Sequence, residues 1–264
     1  MTSYAGIPAV PAGSSLATPL KELGTVYERI HEEQALWQAA TPWRCPEGCA
    51  ACCSDFEPDI LDIEALWLAA WILEEQGQTA AIEGSGKPRT EGQGSFPAPT
   101  EAERFIEQNS QRKGCVLARE EGPWFCSVYG GRPLVCRLFA FSGDRDKDHR
   151  ARFRPCAKLA DREKTNHDTK SVLENQKKSL SEAELLERYG RLPPIMGDLA
   201  ALADSILPGS NERERLREAL PKALAKMRML MQYSSIIPFP TRSLDSDDGN
   251  DNPDGSTPPM DSAV

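Results

Sequence analysis

Eight cysteines fall between residues 45 and 156 of this 264-residue chain, at Cys45, Cys49, Cys52, Cys53, Cys115, Cys126, Cys136 and Cys156, and none lies outside that interval. Thiolates are soft donors for zinc, iron and iron–sulfur clusters. Ligands of one centre must converge, whereas cysteines used as small apolar fillers would scatter over every buried segment. The confinement therefore points to metal chelation, with all eight as candidate ligands and no catalytic residue assigned.

The first four cysteines read C-x3-C-x2-C-C. On a helix, residues 45, 49 and 52 and residues 45, 49 and 53 each follow one stripe, while Cys52 and Cys53 point about 100° apart. Spacing alone leaves open whether the vicinal pair serves one metal centre or two. Pro46 and Gly48 suggest that the segment starts as a loop whose backbone N–H groups can hydrogen-bond thiolate sulfur.

Cys126 and Cys136 bracket the segment CSVYGGRPLVCRLF, in which Gly130 and Gly131 predict a turn and Pro133 the start of a helix that mounts Cys136. Arg44, Arg132 and Arg137 are placed to offset the negative charge of a thiolate site, or else to form surface ion pairs. His31, His149 and His167 are scattered and expected to be exposed rather than coordinating. Asp55, Glu57 and Asp59 follow the cluster, where capping and dipole compensation of the next helix is a simpler reading than acid–base chemistry.

The elements RCPEGCAACC, GCVL and CSVYGGRPLVCRLF resemble the YkgJ-type cysteine-cluster family, described as a zinc- or iron-chelating domain with a CxxCxxCC signature. The resemblance covers roughly residues 40 to 160. It implies metal chelation at Cys45, Cys49, Cys52, Cys53, Cys115, Cys126 and Cys136, with Cys156 beyond the core motif. Some relatives carry the name flagellin lysine N-methylase, which implies one enzymatic alternative, a protein lysine N-methylase-like activity using the metal centre and S-adenosylmethionine.

Iron–sulfur is the favoured cofactor over zinc, because a zinc ribbon uses two separated C-x2-C knuckles and this chain has one dense knot and four single cysteines. A purely structural zinc-binding interaction module is the other alternative. Structural disulfides need an oxidising compartment, and no targeting signal is visible, since Pro8, Pro11, Gly13 and Pro19 interrupt the first twenty residues. The C-x3-C-x2-C spacing also occurs in radical S-adenosylmethionine enzymes, but no succession of strands and helices follows it here. No Gly-rich turn after a strand suggests a Rossmann-type methyltransferase.

The elements that must hold these cysteines are mostly helical. Thr25 with Glu28, Thr100 with Glu103 and Ser181 with Glu184 have capping-box spacing. Asp59 can cap a helix through Ile60, Ile63, Leu66, Trp67, Ala70 and Leu73, whose apolar positions nearly encircle it. A last amphipathic run carries Leu216, Leu220, Leu224, Met227 and Met231, with a kink or restart expected at Pro221. Gly122–Pro123 separates two short apolar pieces that suit a small hairpin. Residues 1–19 and 240–264 read as disordered tails, the second acidic and rich in Pro, Ser and Gly. Residues 76–99 read as a mobile loop inside a cysteine-cluster domain of residues 20–160, and residues 161–239 as a helical extension packed on it.

A formal net charge of −9 and a pI near 5.0 argue against a nucleic-acid or anionic-membrane binder. The run Ile60–Leu73 contains Asp62 and Glu64 and falls short of the about 20 apolar residues needed to span a bilayer. The expectation is a cytosolic, mainly α, irregular metal-stabilised domain with cysteine-rich loops and room for one small β-hairpin. A protein partner or substrate is left open.

Overall fold

The computed structural model describes residues 10, 14–45, 49, 51–82, 100–119, 126–156, 160–161, 179–209 and 212–236. In chain order the elements are α1 (Ala17–Ala40), β1 (Trp43–Arg44), α2 (Ala51–Ser54), β2 (Asp59–Leu61), α3 (Asp62–Ile82), α4 (Glu101–Gln108) and α5 (Leu134–Leu138). There follow β3 (Asp144–Arg145), β4 (Ala151–Phe153), β5 (Ala160–Asp161), β6 (Leu180–Ser181), α6 (Glu182–Tyr189), α7 (Met196–Asp204), β7 (Arg213–Arg215) and α8 (Leu216–Ile236). The protein is mainly α with small sheets.

Helix α3 is the centre. Residues 63–70 are all buried, so apolar side chains leave this helix on every side and need cover from several neighbours. Helix α1 supplies Leu20, Leu23, Tyr27 and Ile30, and α8 supplies Leu216, Leu220, Leu224 and Met227, all at most 1% exposed. Their spacing of three and four residues puts each set on one helix face. Each fully buried Leu contributes about 1.5–3 kcal/mol.

A second, smaller core gathers Trp37, Phe153, Leu180 and Leu185, with Trp43, Tyr189 and Cys156 packed against it. Trp37, Trp43, Phe153 and Tyr189 contact one another with ring centroids 5.0–6.1 Å apart. Edge and tilted aromatic packing of this kind adds to the area term.

Short antiparallel pairings tie distant segments together. Strand β1 pairs with β5 (Trp43 opposite Asp161), β2 with β7 (Ile60 opposite Glu214), and β4 lies between β3 and β6. Ala118 and Cys126 form an isolated antiparallel bridge, and Ser127 N–H donates to the Leu117 carbonyl at 3.1 Å, where a small hairpin was expected. Its Gly122–Pro123 turn lies outside the described residues.

Several local expectations are corrected. Helix α1 starts at Ala17, not near Thr25. Thr25 instead sits inside it, with its hydroxyl on the Lys21 carbonyl. Asp59 is a strand residue, and the cap of α3 comes from Glu64, whose carboxylate accepts the Leu61 amide at 3.0 Å. Residues 76–82 continue α3 rather than open a loop, and residues 83–99 lie outside the described part. Helix α8 runs through Pro221 without a restart, because its buried stripe of Leu216, Leu220, Leu224 and Met227 holds both sides of the proline against the core. The capping boxes Thr100–Glu103 and Ser181–Glu184 both form.

Candidate metal centre

The first four cysteines do not share one helix. Cys45 follows β1 and is exposed, Cys49 is in irregular chain, and only Cys52 and Cys53 lie on the single turn α2. The pairing of β1 with β5 brings the chain after Arg44 to the segment that follows Cys156. The thiols of Cys49, Cys52 and Cys156 all act on Cys45. Burial, then those thiols, push Cys45 up to about 11.

The other sulfurs gather on the α3 side. The amide of Cys115 donates to the Cys53 carbonyl at 3.0 Å. Gly114 makes this approach possible, since a Cβ there would lie inside the van der Waals shell of the Cys53 and Ser54 carbonyl oxygens. The bridge between Ala118 and Cys126 carries Cys126 to the same place. Burial pushes Cys115 up to about 11 and raises Cys126, and the neighbouring thiols of each raise it further. The backbone at Leu117 opposes that rise for Cys115, and the backbone at Val128 opposes it for Cys126.

Cys136 is mounted by a carboxylate. Pro133 caps α5, and the Leu134 amide donates to Glu64 Oε1 at 2.6 Å. Glu64 is 1% exposed, and it also accepts from Tyr27 Oη at 3.4 Å and faces Arg213 at 3.4 Å, so one buried side chain joins α1, α3, α5 and β7. Burial raises its pKa, and the Leu61 and Leu134 amides work against that shift. Burial likewise raises Cys136, with Cys126 and Cys115 next among its causes.

A second clamp holds the approach to Cys115. Glu57 and Arg217 form an ion pair at 2.6 Å with side chains 7% and 19% exposed. The Arg217 guanidinium also donates to the carbonyls of Ser110, Arg112 and Gly114 at 2.6, 2.9 and 3.2 Å. Glu57 accepts the Arg217 amide at 3.1 Å, which caps the start of α8. The acidic turn after the cysteines is therefore structural at Glu57, while Asp55 stays exposed beside Lys113 at 3.9 Å.

The two halves meet at the vicinal pair, whose sulfurs are 3.8 Å apart. The Cys53 thiol donating to Cys52 lowers Cys52 to about 6, and the same bond raises Cys53. Arg132 lowers Cys52 and Cys126 and opposes the rise at Cys136. Its guanidinium carbon lies 3.6 Å from the centre of the Tyr129 ring, and its buried Nε has no hydrogen-bond partner.

Of the three arginines expected near the thiolates, Arg132 has its charge placed this way. Arg44 donates to the Thr41 and Trp43 carbonyls. Arg137 donates to those of Arg132 and Gly130, with its guanidinium carbon 4.1 Å from the centre of the Tyr27 ring. His31 and His149 are exposed, and His167 lies outside the described residues.

None of the eight cysteines is in a disulfide. Among the described residues no three His, Cys, Asp or Glu side chains are grouped closely enough to hold one ion as they stand. The sulfurs form connected neighbourhoods rather than a closed coordination shell. The donor chemistry still fits a thiophilic metal: the donors are all sulfur, and the Arg132 charge favours the thiolate form of three of them.

Glu64, Glu57 and Arg217 were missed as supports by sequence reasoning. Glu64 carried a signal, being a lone acid on an otherwise buried helix face, a position a carboxylate occupies only when partnered.

No curated protein and no solved structure matches this chain. Residues 44–171 match the family described as "putative zinc- or iron-chelating domain", with the signature CxxCxxCC. That interval contains Cys45 and the seven other cysteines. No described helix is long and apolar enough to cross a membrane. With cysteines from separate segments gathered around α2 and the family signature spanning them all, residues 44–171 are a domain of the CxxCxxCC family.

Proposed function

We propose that this domain holds an iron–sulfur cluster through Cys45, Cys49, Cys52, Cys53, Cys115, Cys126, Cys136 and Cys156. The observation that carries the reading is the gathering of sulfur donors from separate stretches of chain, with the Cys115 amide on the Cys53 carbonyl at 3.0 Å and the Cys126 stretch bridged to Ala118. When bound, the cluster supplies electron transfer or a Lewis-acidic iron. The chain's own residues supply an apolar wall, the Arg132 charge and the anchored backbone at Gly114–Cys115.

Zinc is the second reading. It is supported by the 3.8 Å separation of the Cys52 and Cys53 sulfurs, close to the sulfur–sulfur edge of about 3.8 Å that follows from tetrahedral geometry and a zinc–sulfur bond of about 2.3 Å. The same separation is also an ordinary contact between two thiols, so zinc ranks second.

Anaerobic purification followed by metal analysis and a visible spectrum tests the assignment. A brown protein whose absorption bleaches on reduction is expected. A colourless protein with stoichiometric zinc would overturn the iron–sulfur reading, and protein free of metal under reducing conditions would overturn chelation itself.

A further inference from the structure

We propose that Cys52 and Cys53 are a redox-active pair: before metal is loaded, a peroxide closes them into a disulfide between neighbouring residues, and a small thiol reopens it. The bond itself stands on the positions of the two sulfurs. Its effect on metal loading rests on the metal-binding reading.

The two sulfurs are 3.8 Å apart, and a disulfide bond of about 2.05 Å asks them to close by only about 1.8 Å. Both side chains are half-buried, within reach of a small oxidant, and neither is in a disulfide. Their backbone is a single turn, Ala51–Ser54. One turn fixes several dihedral angles for very few hydrogen bonds, so it resists rearrangement little. The two cysteines are not held equally. The Cys53 carbonyl accepts the Cys115 amide at 3.0 Å, and Cys53 packs against the core around α3. Cys52 is therefore the side chain that swings to close the gap.

Adjacency also sets the character of the bond. Neighbouring Cα atoms stand about 3.8 Å apart, closer than the about 4.4–6.8 Å that a relaxed disulfide spans. Such a bond is strained and easily reduced, which is the behaviour of a regulatory disulfide rather than a structural one. Transient disulfides of this kind also form where thiols are otherwise kept reduced.

The chemistry needs one peroxide. One sulfur, as thiolate, attacks a peroxide oxygen: an S–O bond forms, the O–O bond breaks, and the departing hydroxide leaves as water with the proton that thiol gave up. The neighbouring sulfur then attacks the resulting sulfenic acid. The S–S bond forms, the S–O bond breaks, and the hydroxyl leaves as water with the second thiol's proton. The two thiols lose two electrons and the peroxide gains them. Neither sulfur can then act as a thiolate ligand until the bond is reduced.

The test treats the reduced, metal-free full chain with an equimolar amount of hydrogen peroxide, then denatures, alkylates and digests it for tandem mass spectrometry. The tryptic peptide that begins at Cys45 is expected to lose two hydrogens, with Cys45 and Cys49 alkylated and Cys52 and Cys53 not, and dithiothreitol should reverse the loss. The same loss is expected in a double variant, Cys45→Ser with Cys49→Ser, and none in Cys52→Ser. Alkylation of both Cys52 and Cys53 in the oxidised wild-type protein, or a bond from either to another cysteine, overturns the proposal, and this reading does not depend on any variant folding. Oxidised wild-type protein is also expected to lose most of the zinc uptake of the reduced protein and to regain it with dithiothreitol. Equal uptake by the two forms overturns the control of loading. No uptake by either form overturns the metal-binding reading, while the peptide masses still decide the disulfide.

Discussion

The amide of Cys115 donates to the carbonyl of Cys53 at 3.0 Å, and Gly114 is the residue that allows the two strands of chain to touch. A methyl group at that position would overlap backbone rather than a flexible side chain, so the loop would have to move. Gly114→Ala is expected to cost about 1–3 kcal/mol in a denaturant melt and to lower metal content in the same preparation. Normal metal content in the variant would show that this contact does not position the thiols.

Arg217 is held on four sides, by the Glu57 carboxylate and the carbonyls of Ser110, Arg112 and Gly114. Arg217→Ala leaves Glu57 buried without its counter-charge, for which a loss of about 3–5 kcal/mol is expected. Glu57→Ala also strips the cap from the first amide of α8, so both variants should show a lower urea midpoint. A shift worth less than about 1 kcal/mol would be the behaviour of a surface pair and would remove the clamp from the account.

Glu64→Gln keeps the shape of the side chain but turns one acceptor oxygen into an amino group facing a backbone or guanidinium N–H. The expected loss is roughly 1–3 kcal/mol, accompanied by faster amide exchange at residues 134–138. Unchanged exchange there would mean that α5 does not depend on this carboxylate.

Glu103 is lowered to about 2, first by its hydrogen bonds to Arg228 and against the opposing effect of burial. Its folded-state pKa is below the unfolded value near 4.5, so its stabilising contribution is complete above that value and is lost as pH falls towards 2. Wild-type stability should therefore decline between about pH 4.5 and 2 more steeply than that of Glu103→Gln. Parallel acid-denaturation curves for the two proteins would contradict the assignment.

Metal removal by a chelator under anaerobic conditions should loosen the chain around Cys45–Cys53 and Gly114–Cys136 while α1, α3 and α8 keep their helical signal. The core around α3 contains some thirty buried side chains, about three-quarters of them on elements that carry no cysteine. Hydrogen exchange resolved by segment separates this outcome from complete unfolding on metal loss, which the buried helices argue against.

How much of this was legible beforehand differs from residue to residue. The capping boxes at Thr100 and Ser181 and the α8 stripe are local patterns, and they formed where the spacing put them. Thr25 has the same spacing as Thr100 but lies inside α1, because Leu20 and Leu23 bury the turn before it and extend the helix past the cap. Asp59 gave way to Glu64 for a related reason: the pairing of Ile60 with Glu214, far away in the sequence, makes that stretch a strand. The cysteines could be recognised as donors from type and confinement. How the segments that carry them come side by side could not, since it depends on two-residue strands such as Trp43–Arg44 with Ala160–Asp161, which have no sequence signature of their own.

Helix α3 is covered on one side by α8, which is the last of the described elements and is joined to the start of α3 by the β2–β7 pairing. During synthesis, α3 leaves the ribosome roughly 150 residues before its partner, a wait of about 8–30 seconds at 5–20 residues per second. Over that time Leu66, Trp67 and Leu68 have α1 and the shorter intervening helices, but not the α8 stripe, to shield them. Products that end before Leu216 should therefore be sticky, chaperone-bound species rather than shorter soluble domains, even though they retain every cysteine.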